Sequence, residues 1–215
     1  LEFIFLGSFN FELFNLIIFA TPVPINEKSK CIFLWFTFNI SNKTIGILGG
    51  SFDPAHKGHL AISKIALKKI KLKKIYWLIT KKNPFKKKAY FSLNQRMKVA
   101  KKIIKNFNKI QVLYLDKMVK SSKSINLVNY FIKKKVNNIY FIIGSDILIE
   151  LHKWKSWKKI VKLVKLVVFS RKGYDRKNKN SIVVKYLKNK NITFIKNKPI
   201  EISSTILRNK LKIKS

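Results

Sequence analysis

The sequence is poor in cysteine, in acidic residues and in arginine, and each shortage narrows what the protein can be. One cysteine in 215 residues, Cys31, excludes a disulfide framework and is typical of a reducing compartment, so we expect a cytoplasmic protein. Nine acidic residues against 47 basic ones give a formal net charge of +38, which favours binding to polyanions. Four of the basic residues are arginines, and aromatic residues are not interleaved with them as in a stacking surface for nucleic acid. We therefore expect no specific nucleic-acid partner.

Long apolar runs are also missing. The runs Leu13–Ala20 and Cys31–Phe38 are too short to cross a bilayer, so we expect no stable membrane insertion. Both lie in residues 1–43, which contain three acidic residues and three lysines, whereas residues 44–215 contain 44 basic and six acidic residues. This change in charge predicts an N-terminal extension over residues 1–43 and one folded domain over residues 44–215. An interfacial membrane anchor is the alternative for the extension.

Six short apolar segments alternate with amphipathic ones from residue 44 onward. The apolar segments predict strands at Thr44–Leu48, Ile75–Ile79, Ile110–Leu115, Asn138–Ile143, Leu166–Phe169 and Ile192–Ile195. The amphipathic segments predict helices that include Leu60–Ile70, Leu93–Asn106 and Ser124–Lys135. Continuous apolar strands separated by helices predict an α/β fold, a Rossmann-like doubly wound parallel sheet with helices on both faces. Ligands bind such sheets beyond the carboxyl ends of the strands.

Seven glycines are few for this length, and four of them lie with two of the three histidines within fourteen residues. These residues are Gly46, Gly49, Gly50, Gly58, His56 and His59. They fall at a predicted strand–helix junction, where backbone N–H groups and the helix dipole attract phosphate, and histidines three apart face the same side of a helix. A tight turn or a zinc site is the alternative, although no further cluster of histidine or cysteine supplies the other zinc ligands. The spacing matches neither the Walker A loop nor the dinucleotide-binding fingerprint.

Polar and aromatic residues follow the predicted strand Asn138–Ile143. Gly144 permits a ligand to approach closely there. Asp146 is placed to accept hydrogen bonds from ribose hydroxyls or, alternatively, to cap the next helix. Trp154 offers a face on which a planar ring can stack, whereas we expect Trp157 to belong to the core.

Two more segments carry groups that suit phosphate or nucleotide. Three hydroxyl residues near the end of the chain predict the N-cap and first turn of a helix; they are Ser203, Ser204 and Thr205. Arg208, one turn further, adds a cation that can pair with phosphate oxygens. The segment Asn83–Lys86, after the second predicted strand, contains an Asn-Pro turn signal. The alternative is that its lysines belong only to a solvated loop.

The stretch from Gly50 to His59 fills every fixed position of the pattern Gly-x-Phe-Asp-Pro-x-His-x-Gly-His. It resembles the signature of the His-x-Gly-His nucleotidyltransferase superfamily, whose members adenylylate or cytidylylate small phosphorylated substrates. Ile-Ser-Ser-Thr-x-x-Arg over residues 202–208 matches the second signature of that superfamily. Gly-Ser-Asp followed by Leu-x-x-Trp-x-x-Trp, over residues 144–157, is similar to the pattern of bacterial nicotinate-nucleotide adenylyltransferases, where the first tryptophan stacks on the pyridine ring.

The resemblance covers Thr44 to about Lys212 and implies a reaction of NAD biosynthesis. The chain would transfer the AMP moiety of ATP to nicotinate mononucleotide, giving nicotinate adenine dinucleotide and pyrophosphate. ATP and nicotinate mononucleotide are then its partners, and Mg²⁺ accompanies ATP, held by phosphates and water rather than by protein side chains. The oligomeric state stays open. The alternatives are another adenylyl- or cytidylyltransferase of the same fold, such as a phosphopantetheine adenylyltransferase, and a non-enzymatic polyanion-binding protein.

The same resemblance implies three groups of site residues. The catalytic group is His56, His59 and Arg208. The ATP-binding group is Gly49, Gly50, Ser51, Phe52, Asp53, Gly58, Gly144, Asp146, Ser203, Ser204 and Thr205. The group that binds nicotinate mononucleotide is Asn83, Lys86, Ser124 and Trp154. Two positions depart from the family pattern, because Phe85 stands where one subtype has histidine and Lys123 stands where the family has tyrosine.

Overall fold

The computed structural model describes residues 44–81, 89–171, 173–174, 178, 180–197 and 202–212, without the side chains of residues 210–212. The predictions about residues 1–43, and the predicted binding residues Asn83 and Lys86, lie outside the described residues. They stay predictions.

Strands and helices alternate through the described part of the chain. The strands are β1 (Thr44–Gly50), β2 (Lys74–Ile79), β3 (Ile110–Leu113), β4 (Asn138–Gly144), β5 (Lys165–Phe169) and β6 (Ile192–Ile195). The α-helices are α1 (Lys57–Lys69), α2 (Leu93–Ile103), α3 (Ser124–Lys133), α4 (Ser145–Glu150), α5 (Trp157–Leu163), α6 (Ile182–Leu187) and α7 (Ser204–Lys212), with a 3₁₀ turn at Leu151–Lys153. None of the helices in these ranges is long and apolar enough to cross a membrane.

The six strands form one parallel sheet in the order β3-β2-β1-β4-β5-β6. β1 is central, and its Leu48 pairs with Trp77 of β2 on one side and with Ile142 of β4 on the other. Because successive strands are added outward from β1 in one direction and then from β4 in the other, the switch point of the topology lies between β1 and β4. Ligands bind beyond the carboxyl ends of the strands at such a point. The predicted Rossmann-like doubly wound fold is confirmed.

Helices cover both faces of the sheet, as predicted. Alternate residues of β1 point to opposite faces, so Ile47 joins one apolar cluster and Leu48 the other. The first cluster packs against α3, α4, α5 and α6, and the second packs against α1 and α2. Burial of these two layers stabilises the sheet, whose carboxyl edge is left to carry the polar groups described below.

All six predicted strands are present, and the differences lie at the ends of elements. β3 ends at Leu113 rather than at Leu115, because the next residues form a turn in which the Val119 amide donates to the Leu115 carbonyl oxygen. α3 ends at Lys133 rather than at Lys135, whose φ of 56° is left-handed. α2 ends at Ile103, three residues before the predicted end. α1 begins at Lys57, earlier than its apolar periodicity predicts, because a side chain caps the preceding turn.

Candidate active site

The loop between β1 and α1 contains two histidines that cap the helix. His56 is the N-cap of α1, and its Nδ1 accepts a hydrogen bond of 3.1 Å from the amide of Gly58. His59 stands in the first turn, and its Nδ1 accepts a bond of 3.2 Å from the amide of His56. The two imidazoles thus form a reciprocal capping box, in positions usually filled by Ser or Thr and by Glu or Gln. Their ring centroids are 3.9 Å apart, which confirms that they face the same side.

Hydrogen bonding and burial together set the protonation of this pair. Because each Nδ1 accepts a hydrogen bond, a neutral ring carries its proton on Nε2 and presents an N–H donor there. Burial lowers the pKa of His56 to about 4 and the pKa of His59 to about 3, and the positive charge of Arg171 acts in the same direction on both. At pH 7 the pair therefore offers two neutral Nε2–H donors.

Phe52 packs the second histidine against the sheet. Its φ of 46° is left-handed, which is uncommon for an aromatic residue, and its ring is buried. That ring lies 4.7 Å from the ring of His59 and stacks at 5.2 Å on Trp77 of β2. The Nε1 of Trp77 donates to Ser63 Oγ, which in turn donates to the carbonyl oxygen of His59. His59 is thus held through both its ring and its backbone.

Asp53 joins the loop after β1 to the segment before α2. Its side chain is 9% exposed. One carboxylate oxygen accepts a hydrogen bond of 2.8 Å from the amide of Tyr90, and the other accepts one of 2.9 Å from the amide of Phe91. A carboxylate bonded to two amides is a charge-assisted contact, stronger than a bond between neutral groups. In this structure the Asp53 carboxylate therefore binds backbone amides of the protein itself.

The N-terminal turn of α7 docks on the same loop. Arg208 Nη1 donates to the carbonyl oxygen of Asp53, and its Nη2 donates over 3.0 Å to Thr205 Oγ1. Ser204 Oγ donates over 2.9 Å to the carbonyl oxygen of Pro54. Two motifs about 150 residues apart in the sequence therefore come into contact.

The polar side chains at the start of α7 differ in whether they keep a free donor for a ligand. Ser203 Oγ accepts from the amide of Ile206, so it has the capping role that the sequence predicted. Ser204 uses its proton on Pro54, so a bond from this hydroxyl to a phosphate requires that contact to be exchanged. Arg208 has two N–H groups on protein acceptors and a side chain 21% exposed, so further donors remain for an anion.

A second polar cluster lies at the carboxyl ends of β4 and β5. Asp146, in the first turn of α4, forms an ion pair with Arg171, with 2.9 Å between Oδ2 and Nη1. Gly144 is the N-cap, so the alternative that Asp146 caps the helix is wrong. A Cβ atom at Gly144 would collide with Asp146 Oδ1, so the glycine makes room for the carboxylate. Within the described residues that Oδ1 is buried without a hydrogen-bond partner, and it can accept one from a ligand.

Trp154 lies on the side of the sheet that α3 to α6 cover. Its half-buried ring meets Phe141 of β4 edge-on, with 6.1 Å between centroids. The same Phe141 ring also lies beside Gly49, at the exposed carboxyl end of β1, where a Cβ atom would stand 3.8 Å from it. Through Phe141, Trp154 therefore lies near that end of β1. Ser124 is the first residue of α3 on this side. Trp157, which we expected in the core, is partly buried; it packs against the apolar cluster on this side of the sheet and against Tyr186.

Comparison with known proteins places the chain in a family. The family model for cytidylyltransferase-like proteins matches residues 47–210. A protein of Pelagibacter ubique named as a probable nicotinate-nucleotide adenylyltransferase is 49% identical over 170 residues, which are 79% of this chain and 94% of that protein. The chain belongs to the nicotinate-nucleotide adenylyltransferases. A relative of that name from Clostridium novyi is 38% identical over 177 residues, covering 79% of this chain and 88% of its own length.

Solved structures show the same fold. The nicotinic acid mononucleotide adenylyltransferase of Plasmodium falciparum, in complex with NaAD, has a TM-score of 0.64 and 22% identity, covering 78% of this chain and 83% of its own. Membership of the adenylyltransferase family confirms the resemblance noted in the sequence and the prediction of a nucleotidyltransferase.

Two arginines of this candidate site were not predicted. Arg171 follows β5 and pairs with Asp146, and Arg96 of α2 is 2% exposed and binds backbone carbonyls beside the first loop. The composition could have pointed to them, because arginine is rare among the 47 basic residues of this lysine-rich chain. A position that needs several N–H donors in a fixed plane cannot use lysine instead.

Metal ligands are sparse at the site. The described residues contain no group of three or more His, Cys, Asp or Glu side chains that could hold a metal ion. The Asp53 carboxylate binds two amides, and the Asp146 carboxylate binds Arg171.

The lowered pKa values predict that stability falls in mild acid. Below pH 6.5 the unfolded chain protonates both histidines, whereas the folded chain binds those protons near pH 4 and pH 3. The contribution of the two histidines to stability is therefore fully present above about pH 6.5, and it is lost as the pH falls toward their pKa values in the folded chain. The loss is on the order of 1–2 kcal/mol per histidine between pH 7 and pH 5. Urea unfolding at both pH values measures the loss. A double variant, His56→Asn with His59→Asn, keeps an acceptor at each cap and should lose less; an equal loss in both proteins would contradict the assignment.

Proposed function

We propose that this chain transfers the AMP moiety of ATP to nicotinate mononucleotide, with the described loop and α7 as the triphosphate site. One observation carries the proposal: Arg208 and Ser204 of α7 bind the carbonyl oxygens of Asp53 and Pro54, beside the histidine pair. Donors from both ends of the domain therefore converge at the carboxyl edge of the sheet, next to the switch point. The names of the relatives supply the acceptor nucleotide.

The reaction needs no nucleophile from the protein. The 5′-phosphate oxygen of nicotinate mononucleotide attacks the α-phosphorus of ATP in line, and the bond from that phosphorus to the leaving pyrophosphate breaks. Such a transfer depends on positioning and on stabilising the charge that grows on the leaving group. The enzyme's task is thus to align two anionic substrates and to place donors around the triphosphate.

The histidines and arginines suit that task in different ways. His56 and His59 would donate through Nε2 as neutral groups, so they stabilise negative charge without requiring an acidic medium. Arg208 would add a full positive charge, and the guanidinium of Arg171 lies close enough to lower the pKa of both histidines. Two neutral donors and two cations would therefore surround the phosphates.

The two nucleosides would bind different groups beyond the carboxyl edge of the sheet. Asp146 Oδ1 would accept a hydrogen bond from the adenosine, since it lies buried at the carboxyl end of β4. Trp154 would stack on the pyridine ring, and Ser124 would bind the same nucleotide from the start of α3. We assign Asn83 and Lys86 to that nucleotide from the family pattern alone. Mg²⁺ would arrive as part of the ATP substrate, bound by phosphates and water.

An acceptor panel tests the proposed function. Purified protein is given Mg²⁺-ATP with nicotinate mononucleotide, nicotinamide mononucleotide, phosphopantetheine or no acceptor, and pyrophosphate release is followed. We expect release to depend on a pyridine mononucleotide, with nicotinate adenine dinucleotide as the product of the acid form. Release with phosphopantetheine alone would assign another transferase of this fold, and no release with any acceptor would favour a polyanion-binding protein.

His59 allows its capping role to be separated from its role with ATP. In His59→Asn the side-chain oxygen replaces Nδ1 and can keep the helix cap, but no donor replaces Nε2–H. We expect kcat/KM for ATP to fall by ~10²–10³-fold, as on loss of one donor to a developing charge, with little change in melting temperature. His59→Gln, which places an amide N–H near Nε2 but loses the cap, should lose less activity and more stability. Near-normal turnover in His59→Asn would overturn the role.

Trp154 tests the side on which the pyridine nucleotide binds. We expect Trp154→Ala to weaken nicotinate mononucleotide by ~1–3 kcal/mol, the value of stacking a base on an aromatic ring, with KM for ATP nearly unchanged. Steady-state kinetics with each substrate varied in turn measure both. Trp157→Ala is the matched control, because that ring packs on the core and should lower stability instead. Equal weakening of both substrates by Trp154→Ala would place its ring in the core and favour phosphopantetheine as acceptor.

A further inference from the structure

Arg96 is a buried cation to which nothing above assigns a role in the reaction. It lies on α2 and its side chain is 2% exposed. No carboxylate in the described part of the chain lies within ion-pair distance of it. All of its hydrogen bonds described by the structure go to main-chain carbonyl oxygens. The carboxylates of Asp53 and Asp116 stabilise its charge electrostatically without forming an ion pair with it. A buried charge is costly unless hydrogen bonds and nearby opposite charges compensate it, so what these bonds hold is of interest.

The carbonyls that Arg96 binds belong to three separate segments at the carboxyl edge of the sheet. Nη1 donates over 2.6 Å to Ser51, just after β1, and over 2.8 Å to Thr80, just after β2. Nη2 donates over 3.3 Å to Lys81, and Nε donates over 3.2 Å to Phe91. The guanidinium thus lies under the point where β1, β2 and the segment before α2 meet.

Two short routes lead from these carbonyls to groups assigned to ATP. Ser51 precedes Phe52, whose left-handed φ places its ring against His59. Phe91, bound through its oxygen by Arg96, donates its amide to the Asp53 carboxylate, and the Asp53 carbonyl binds Arg208. One side chain therefore restrains the backbone that supports both a neutral donor and a cation of the triphosphate site.

We propose that Arg96 is a positioning residue for adenylyl transfer, whose planar set of donors holds the Ser51–Asp53 backbone so that His59 and Arg208 meet the triphosphate. The proposal rests on the proposed function for its substrate. Lysine would keep the charge but would present its donors from a single nitrogen, which cannot reach acceptors spread around the edge of a guanidinium group. The role therefore belongs to the geometry of arginine as well as to its charge.

Arg96→Lys is the main test, with Ala100→Gly as the matched control. Ala100 is fully buried on the same helix, so its replacement loosens α2 without removing a donor to the loop. At saturating substrates, and per folded molecule, we expect kcat to fall at least ~10-fold in Arg96→Lys and to stay within about twofold in Ala100→Gly. In Arg96→Ala, guanidinium chloride at tens of millimolar should restore several-fold more activity than sodium chloride does.

A second readout needs no turnover, so its failure is distinct from a failure of the proposed function. NMR titration of the His56 and His59 imidazoles reports how closely the loop holds them. We expect their pKa values to move toward 6.5 in Arg96→Lys and to stay low in Ala100→Gly. Unchanged kcat in Arg96→Lys, a loss of kcat shared equally with Ala100→Gly, or a loss with neither guanidinium rescue nor a histidine shift would each overturn the proposal.

Discussion

The site depends on how the loop after β1 is held by groups from elsewhere in the chain. The Asp53 carboxylate binds two amides before α2, and the carbonyl oxygens of Asp53 and Pro54 receive Arg208 and Ser204 from α7. Each contact is between a buried or half-buried polar group and a partner distant in sequence, so leaving one unmade would cost the desolvation of its partner. This constraint turns a short glycine-containing loop into a fixed support for two histidines.

The histidine pair shows how one side chain can serve both the fold and the proposed reaction. Nδ1 of each ring completes the N-terminus of α1, which leaves Nε2–H directed away from the helix backbone. Burial lowers the pKa of both rings, so they remain neutral at physiological pH. Positive charge instead comes from the guanidinium groups of Arg208 and Arg171. Neutral donors that need no reorganisation and permanent cations are complementary ways of stabilising a triphosphate.

Local patterns in the sequence were enough to predict the fold. Apolar segments predicted all six strands, and the Gly50–His59 motif predicted which strand–helix junction would bind phosphate. Contacts between distant residues were beyond such patterns. Arg96 falls in a polar helix turn, where a basic residue is ordinarily exposed, and in the structure it binds carbonyls just after β1 and β2. The sequence left open whether Asp146 caps α4. In the structure Gly144 is the N-cap, and Asp146 pairs with Arg171, which follows the neighbouring strand β5. Arg96 and Arg171 share one signal in the sequence, which is that arginine is rare in this chain.

A crystal structure with a non-hydrolysable ATP analogue and nicotinate mononucleotide would show whether the loop after β1 and α7 together bind the triphosphate. We expect phosphate oxygens within ~3.2 Å of Nε2 of both His56 and His59. We also expect Arg208 to contact the triphosphate while α7 stays docked on Asp53, and the pyridine ring to lie on Trp154. A triphosphate bound away from the histidine pair, or an α7 that leaves the loop when ATP binds, would contradict this expectation.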